Sequence, residues 1–132
     1  MTVRDINDLP PNVHPRIIDL YRQPFLKQGT DEWLEQRYNF LTASDVAAVL
    51  GNCIFKKRAD VLADKLRQTV PQPPTEAMKH GTNTEPEARA VYEKLTGKKV
   101  IQFGLLTCAD GGLHFLGASV DGITTDGVVV EI

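Results

Sequence analysis

Two acidic residues near the end of the chain have the types and spacing that suit a divalent metal ion. Asp121 follows an apolar segment at residues 114–120, and Glu131 lies in the β-branched segment at residues 128–132. Between them stands Thr125-Asp126-Gly127, a sequence typical of a hairpin turn. Pairing the two segments around this turn would bring both carboxylates to neighbouring strand ends. Because hard cations select oxygen ligands, the pair predicts a Mg²⁺ or Mn²⁺ site.

The same residues also have an ordinary interpretation. Asp-Gly is a common turn dipeptide, so a hairpin tip explains Asp126 completely. A glutamate near a chain end is usually solvated, and Glu131 fits that description. From these residues alone, a metal site and a plain surface hairpin both stay open.

Composition indicates one soluble globular domain with a core of its own. The chain has 132 residues, of which 42% are apolar and 24% charged. A net charge of −2 provides no global basic footprint for nucleic acid, although a local basic groove remains compatible with it. The densest basic cluster, Lys56-Lys57-Arg58, fits a solvated loop or a phosphate-binding patch.

Cysteine, histidine and hydropathy patterns exclude several classes of protein. Cys53 and Cys108 form neither a CxxC motif nor a disulfide framework, and the three histidines lack zinc spacing. No apolar run approaches about 18 residues, and no signal peptide opens the chain. We therefore expect no membrane association and a reduced intracellular compartment, the cytoplasm or the nucleus.

Periodicity and capping residues predict four helices after a proline-rich leader at residues 1–27. The first helix begins after Thr30, with Trp33 and Leu34 as anchors and Arg37 on the face of Trp33. The others are predicted at about residues 42–50, 59–68 and 75–96.

The last of these helices has two informative patterns. Ala88, Val91, Tyr92 and Leu95 have the spacing of one buried face. The sequence at residues 84–87 is typical of a capping box, which leaves open whether the preceding turn is continuous with the helix. A strand at residues 99–108, a turn at 109–112 and the closing hairpin follow. Helices followed by a mostly antiparallel sheet indicate a mixed α/β or α+β fold.

Three separated blocks of sequence resemble one family. They are Gln28-Gly-Thr-Asp-Glu-Trp-Leu-Glu-Gln-Arg37 with Leu41-Thr-Ala-Ser-Asp45, His80-Gly-Thr-Asn-Thr-Glu85-Pro-Glu-Ala-Arg89, and Gly117-Ala-Ser-Val-Asp121-Gly with Glu131. Their order and spacing resemble the YqaJ-type viral recombinases, relatives of phage lambda exonuclease in the PD-(D/E)xK nuclease superfamily. The resemblance covers residues 28–132 and implies a virus- or phage-encoded protein. It also implies a restriction-endonuclease-like core, with N-terminal helices before a central mixed sheet.

The resemblance implies a catalytic and metal-binding role for specific residues. Asp121 and Glu131 would be the metal-binding carboxylates, and the main-chain carbonyl of Ile132 a further ligand. Glu85 would reach the same site from its helix and assist the metal ions or the attacking water. Taken without the family, Glu85 is better explained as an acidic residue that favours a helix N-terminus.

Three further residues would bind the terminal 5′ phosphate of DNA, according to the same resemblance. They are Arg37, Ser44 and Ser119. Each has an alternative explanation. Arg37 would form a surface ion pair with Asp31 or Glu32, Ser44 would be a helix N-cap, and Ser119 would be a small strand residue.

The implied activity is Mg²⁺-dependent 5′-to-3′ digestion of duplex DNA ends for recombination. A homotrimer and a single-strand annealing partner are implied with it. The family pattern continues Glu-x-Lys, and this chain ends at the x, so we expect an incomplete domain with impaired turnover. Three alternatives stay open: a non-catalytic remnant or DNA-binding module, a structural divalent-ion site, and a restriction-type endonuclease.

Overall fold

The computed structural model describes residues 2–108 and 111–132. Its helices are α1 Pro15–Arg22, α2 Asp31–Arg37, α3 Val46–Val49, α4 Arg58–Lys65 and α5 Glu76–Thr96. Its strands are β1 Leu41–Thr42, β2 Val100–Ile101, β3 Leu106–Thr107, β4 Leu116–Ala118, β5 Gly122–Thr124 and β6 Val129–Val130. Short 3₁₀ turns lie at Ile6–Asp8 and Ala43–Asp45. Helices combined with two small sheets confirm the predicted mixed α/β class.

The chain forms two compact units. One comprises the chain up to Phe25 together with Gln72–Phe103 and Val120–Ile132. The other comprises Leu26–Pro71 and Gly104–Ser119. Each unit has one three-stranded sheet.

Capping residues begin and end the helices largely as predicted. The Thr30 Oγ1 accepts a hydrogen bond from the Trp33 N–H at 3.4 Å and starts α2. The Thr75 Oγ1 accepts one from the Met78 N–H at 3.2 Å and starts α5, which ends at Gly97 in the left-handed conformation. Helix α4 ends earlier than predicted, because Arg67 adopts a φ of 59° just beyond it.

Helix α5 runs without a break through Pro86, which settles the continuity of residues 75–96. The capping-box interpretation of residues 84–87 is wrong, because these residues lie inside the helix. The Thr84 Oγ1 donates to the main-chain oxygen of His80 at 2.9 Å, which is an interior helical contact. In the part of the chain that the structure describes, no helix is both long and apolar enough to cross a membrane.

The predicted buried face of α5 is confirmed only in part, because Ala88 and Tyr92 are half-buried whereas Val91 and Leu95 are exposed. Val91 is 51% exposed and Leu95 is 81% exposed. The half-buried positions lie on a neighbouring face of the helix and are mostly polar: Thr84, Glu85, Ala88, Arg89, Tyr92 and Glu93. Polar residues are tolerated on this face because they find partners; the Glu93 Oε2, for example, accepts from the Val100 N–H at 3.1 Å.

The first unit contains an antiparallel sheet with the strand order β2-β5-β6. Buried side chains from all three strands form its core: Val100, Ile101, Ile123 and Val130. Helix α1 belongs to this unit and buries Ile17 and Tyr21. The boundary of the leader segment at residue 27 stays a prediction.

The second unit contains the sheet β1-β4-β3, in which β4 is parallel to β1 and antiparallel to β3. Two predictions are corrected here. The predicted strand at residues 99–108 is divided between β2 in one sheet and β3 in the other. Residues 114–120 contribute β4 to this sheet, so the hairpin partner of β6 is β5 instead. Of the predicted turn at 109–112, residues 109 and 110 lie outside the described residues, and Gly111 and Gly112 form a turn.

We predict that Gly104→Ala destabilises the protein. A Cβ at residue 104 would lie 2.4 Å from the main-chain oxygen of Leu26, and backbone has little room to move. We expect the free energy of unfolding to fall by about 2 kcal/mol in urea titration, the usual cost of forcing an extra methyl group into a packed site. Gly81→Ala is the matched control, because nothing lies within 4 Å of its Cβ and it sits inside α5. It should stabilise by up to about 1 kcal/mol. Equal effects of the two substitutions would contradict the close approach at Gly104.

Candidate functional site

Asp121 and Glu131 lie at the same end of the β5–β6 hairpin. Asp121 directly precedes β5, and Glu131 directly follows β6. Because Gly122 pairs with Val130, the register places the two acidic residues opposite each other. The Asp121 Oδ2 also accepts a hydrogen bond from the Ile132 N–H at 2.7 Å. The predicted turn thus brings the two carboxylates to neighbouring strand ends, although from a different strand than expected.

These two carboxylates influence each other electrostatically. The pKa of Glu131 is raised above its usual value, first by burial and second by the negative charge of Asp121. A hydrogen bond with the Asp121 main chain opposes the rise, and the charge of Glu85 on α5 adds to it. Like charges held this close disfavour ionisation, and a cation between them would relieve the repulsion. An all-oxygen donor set of this kind fits a hard divalent cation.

Glu85 has a different immediate partner. Its Oε1 accepts a hydrogen bond from the Arg89 Nη2 at 2.9 Å, one helical turn along α5. Within residues 2–108 and 111–132, no three His, Cys, Asp or Glu side chains are grouped closely enough to hold a metal ion. The structure therefore pairs Asp121 with Glu131 and pairs Glu85 with Arg89. The metal-binding roles of these three carboxylates and of the Ile132 carbonyl stay predictions.

The residues predicted to bind a 5′ phosphate are linked to one another through Trp33 in the second unit. The Arg37 guanidinium lies over the Trp33 ring, with its Cζ 4.5 Å from the ring centroid. The Arg37 Nη2 donates to the Ser44 Oγ at 3.4 Å, and the Trp33 Nε1 donates to the Ser119 Oγ at 3.1 Å. The predicted shared face of Trp33 and Arg37 is confirmed, and the indole serves as a platform that orients the guanidinium.

The Arg37 guanidinium has one hydrogen-bond donor without a partner among the described residues. Its Nε is buried and has no hydrogen-bond partner in the described part of the chain. The alternative ion pairs of Arg37 with Asp31 or Glu32 are not formed among the described residues. A guanidinium that is stacked on an indole beside an exposed hydroxyl group is suited to an anionic ligand that presents several oxygens.

A buried acidic residue that sequence reasoning missed stabilises the turn before α3. The Asp45 Oδ2 accepts hydrogen bonds from the Thr42 N–H at 3.0 Å and the Thr42 Oγ1 at 2.8 Å. The Lys65 Nζ lies 3.0 Å from the same oxygen and also donates to the main-chain oxygen of Arg37 at 3.1 Å. Asp45 thereby fixes the turn that carries Ser44. The capping pattern Thr42-Ala-Ser-Asp45 is the signal that could have identified it.

Asp45→Asn is expected to destabilise the protein in a pH-dependent manner. Burial alone would raise the pKa of Asp45, but hydrogen bonds from Thr42 and Lys65 outweigh it, so the pKa is lowered. Its stabilisation is therefore present above the unfolded-state pKa of about 3.9 and is lost as the pH falls through the folded-state pKa. At pH 7 we expect a loss of about 2 kcal/mol in the free energy of unfolding, because the half-buried Lys65 loses its charged partner.

Urea unfolding of the wild type and this variant at pH 7 and pH 3 measures the effect. The stability difference should shrink at pH 3, and a difference that is the same at both pH values would contradict the role of the charge. Asp19→Asn, at an exposed position of α1, should change stability by less than about 0.5 kcal/mol at either pH.

The basic cluster at residues 56–58 is largely occupied by contacts inside the second unit. Lys56 forms an ion pair with Asp64. The Arg58 Nε donates to the main-chain oxygen of Val49 at 2.8 Å. These contacts favour the interpretation as an ordinary surface loop over a phosphate-binding patch.

The YqaJ-like viral recombinase domain, as a family, matches residues 32–132. The crystal structure of an alkaline exonuclease (LHK-Exo) from Laribacter hongkongensis is similar, with 35% identity and a TM-score of 0.62 over 77% of this chain and 52% of that one. Its complex with dAMP has 34% identity and a TM-score of 0.59, covering 74% and 49% of the two chains.

A viral protein is similar as well. An uncharacterised protein of Acanthamoeba polyphaga mimivirus is 31% identical over 100 residues, which are 76% of this chain and 18% of that protein. The chain therefore spans about half the length of the solved exonuclease and less than a fifth of the mimivirus protein.

These similarities agree with the blocks of sequence that suggested a family. The matched region contains Arg37, Ser44, Glu85, Asp121 and Glu131. The similar alkaline exonucleases have a restriction-endonuclease-like fold, which confirms the predicted core. Because the family match extends over residues 32–132, more than three quarters of the sequence, the chain belongs to the YqaJ-like viral recombinase family.

Proposed function

We propose that this chain is the nuclease part of a DNA exonuclease that hydrolyses duplex DNA from a 5′ end with Mg²⁺ or Mn²⁺. The observation that carries the proposal is the Asp121–Glu131 pair at one end of the β5–β6 hairpin. Membership of the recombinase family and similarity to an alkaline exonuclease support it.

The chemistry of the pair suits phosphodiester hydrolysis. A phosphodiester is anionic and repels an attacking hydroxide; a bound divalent cation screens that charge and stabilises the leaving oxygen. In the proposal, Asp121, Glu131 and the Ile132 carbonyl would hold the cation, and Glu85 would reach the same cation from α5. Glu85 would also accept a hydrogen bond from the attacking water and orient it toward the phosphorus atom.

The proposed polarity depends on the second unit. Arg37, Ser44 and Ser119 bind the terminal 5′ phosphate, which has more negative charge and more free oxygens than an internal diester. The planar guanidinium can donate two parallel hydrogen bonds to such a group, and Trp33 holds it in plane. Binding one 5′ end selects the strand that is digested.

Digestion in this direction leaves a 3′ single strand. We propose that a single-strand annealing protein takes up this product, and that the active form is a homotrimer in the cytoplasm or the nucleus. Only the family supports the annealing protein and the homotrimer. Sedimentation of the full-length protein would measure the oligomeric state.

Hydrolysis of linear and covalently closed duplex DNA by the full-length protein tests the proposal. We expect Mg²⁺-dependent release of nucleotides from linear duplex with 5′-phosphorylated ends, no release in EDTA, and an intact closed circle. Cleavage of the closed circle would instead favour the restriction-type endonuclease. Mg²⁺-dependent melting without any hydrolysis would favour a structural ion site.

A further inference from the structure

Arg89 is a largely enclosed cation next to the proposed catalytic glutamate. Its side chain is 14% exposed, and its Nη2 donates to the Glu85 Oε1 at 2.9 Å. The side-chain oxygen of Gln102, oriented toward the guanidinium, accepts from the Arg89 Nη1 at 3.0 Å and the Nη2 at 2.7 Å. Arg89 is thus held from one side by Gln102 and holds Glu85 on the other.

Gln102 is held in turn by the N-terminal segment of the chain. Its main-chain oxygen accepts a hydrogen bond from the Arg4 Nη1 at 2.5 Å. The Arg4 guanidinium lies 4.0 Å from the Tyr21 ring centroid and 4.1 Å from that of Phe25. Two main-chain hydrogen bonds between Thr2 and Phe25 close this segment on itself. All of these residues belong to one compact unit.

Two effects oppose a fixed position of the Glu85 side chain at the proposed site. A glutamate side chain has three rotatable bonds, and fixing it in one direction costs conformational entropy. The charge of Glu85 also interacts unfavourably with that of Glu131, which opposes the same placement. A charge-assisted bond from Arg89 offsets both effects, provided that Arg89 itself has one fixed position.

We infer that Arg89 is a positioning residue for Glu85 and that the N-terminal segment, through Arg4 and Gln102, holds Arg89 in place. This inference rests on the proposed function. It assigns a role to a segment that lies before the region matched by the family, residues 32–132.

Arg89→Gln should therefore impair the reaction more than the binding of DNA. Removing a group that hydrogen-bonds to a metal ligand typically lowers metal affinity or activity 10–100-fold. We therefore expect kcat to fall about 30-fold, while the KM for duplex DNA stays within about twofold. Arg89→Lys should recover most of kcat, because it restores a cation at the same position. Arg4→Gln should lower kcat alone, by about threefold.

Mn²⁺ affinity without DNA, measured by calorimetry in the full-length protein, provides a readout apart from activity. Arg89→Gln should weaken Mn²⁺ binding about tenfold, because Glu85 is no longer oriented. The matched control is Lys79→Gln, which breaks the exposed Lys79–Glu76 pair on the same helix. It should change neither kcat nor the Mn²⁺ affinity. Unchanged or tighter Mn²⁺ binding by Arg89→Gln would overturn the inference, as would a purely KM effect.

Failure of the proposed function and failure of the positioning role give different results. If the wild-type protein does not digest linear duplex with Mg²⁺, the proposed function fails. If the wild type digests DNA and the folded Arg89→Gln and Arg89→Lys variants both match it, the function stands and the positioning role of Arg89 fails.

Discussion

Asp121→Asn and Glu131→Gln should each lower kcat for Mg²⁺-dependent digestion of linear duplex about 10³-fold. Each substitution removes one negative charge from the proposed cation site, and cation stabilisation of the transition state is worth several kcal/mol. Folding should be little affected, because an amide oxygen in place of the Asp121 Oδ2 can still accept from the Ile132 N–H. We expect the free energy of unfolding to change by less than about 1 kcal/mol. Single-turnover digestion and urea titration measure the two effects.

Asp126→Asn is the matched control for this prediction. Asp126 lies at the tip of the same hairpin, bonded to the Thr124 hydroxyl and 2.9 Å from the Lys98 Nζ. Its variant should digest DNA at a rate within about twofold of the wild type, as expected for a surface position. Wild-type rates for Asp121→Asn or Glu131→Gln would remove the hairpin carboxylates from the reaction.

Arg37→Gln should abolish the preference for 5′-phosphorylated DNA ends. Hydrogen bonds to a charged group contribute about 1.5–3 kcal/mol, so we expect kcat/KM on phosphorylated ends to fall about 10–100-fold. The value on 5′-hydroxyl ends should stay unchanged, because these ends have no terminal phosphate for Arg37 to bind. Competition between the two substrates in one reaction measures the preference directly.

Arg67→Gln is the matched control, because it makes the same arginine-to-glutamine change at another arginine. Arg67 also lies over an aromatic ring, 4.8 Å from the Tyr38 centroid, but it forms an exposed ion pair with Glu35. Its variant should retain the wild-type preference for phosphorylated ends. A preference that persists in Arg37→Gln would exclude Arg37 from the phosphate pocket.

Local signals in the sequence predicted those parts of the structure that depend on near neighbours. Thr30 caps α2 and Gly97 ends α5, because a cap needs only a few adjacent residues. The proximity of Asp121 and Glu131 was predictable for the same reason. The short turn between them brings the flanking strands together without help from the rest of the chain.

These local signals could not predict long-range strand pairing or the packing of polar side chains. Strand β4 pairs with β1, far earlier in the chain, and a period-two pattern does not identify a strand's partner. The inward face of α5 bears Glu85 and Arg89, so the apolar periodicity of Val91 and Leu95 indicated the wrong face. Such faces are stabilised by specific hydrogen bonds, which hydrophobic patterns do not report.

Anomalous X-ray scattering from a crystal of the full-length protein with Mn²⁺ tests the central claim most directly. The account predicts a Mn²⁺ peak within about 2.5 Å of carboxylate oxygens of Asp121 and Glu131, with Glu85 turned toward the same ion. A Mn²⁺ peak elsewhere, or none beside these side chains when the crystal otherwise digests DNA on soaking, would contradict it.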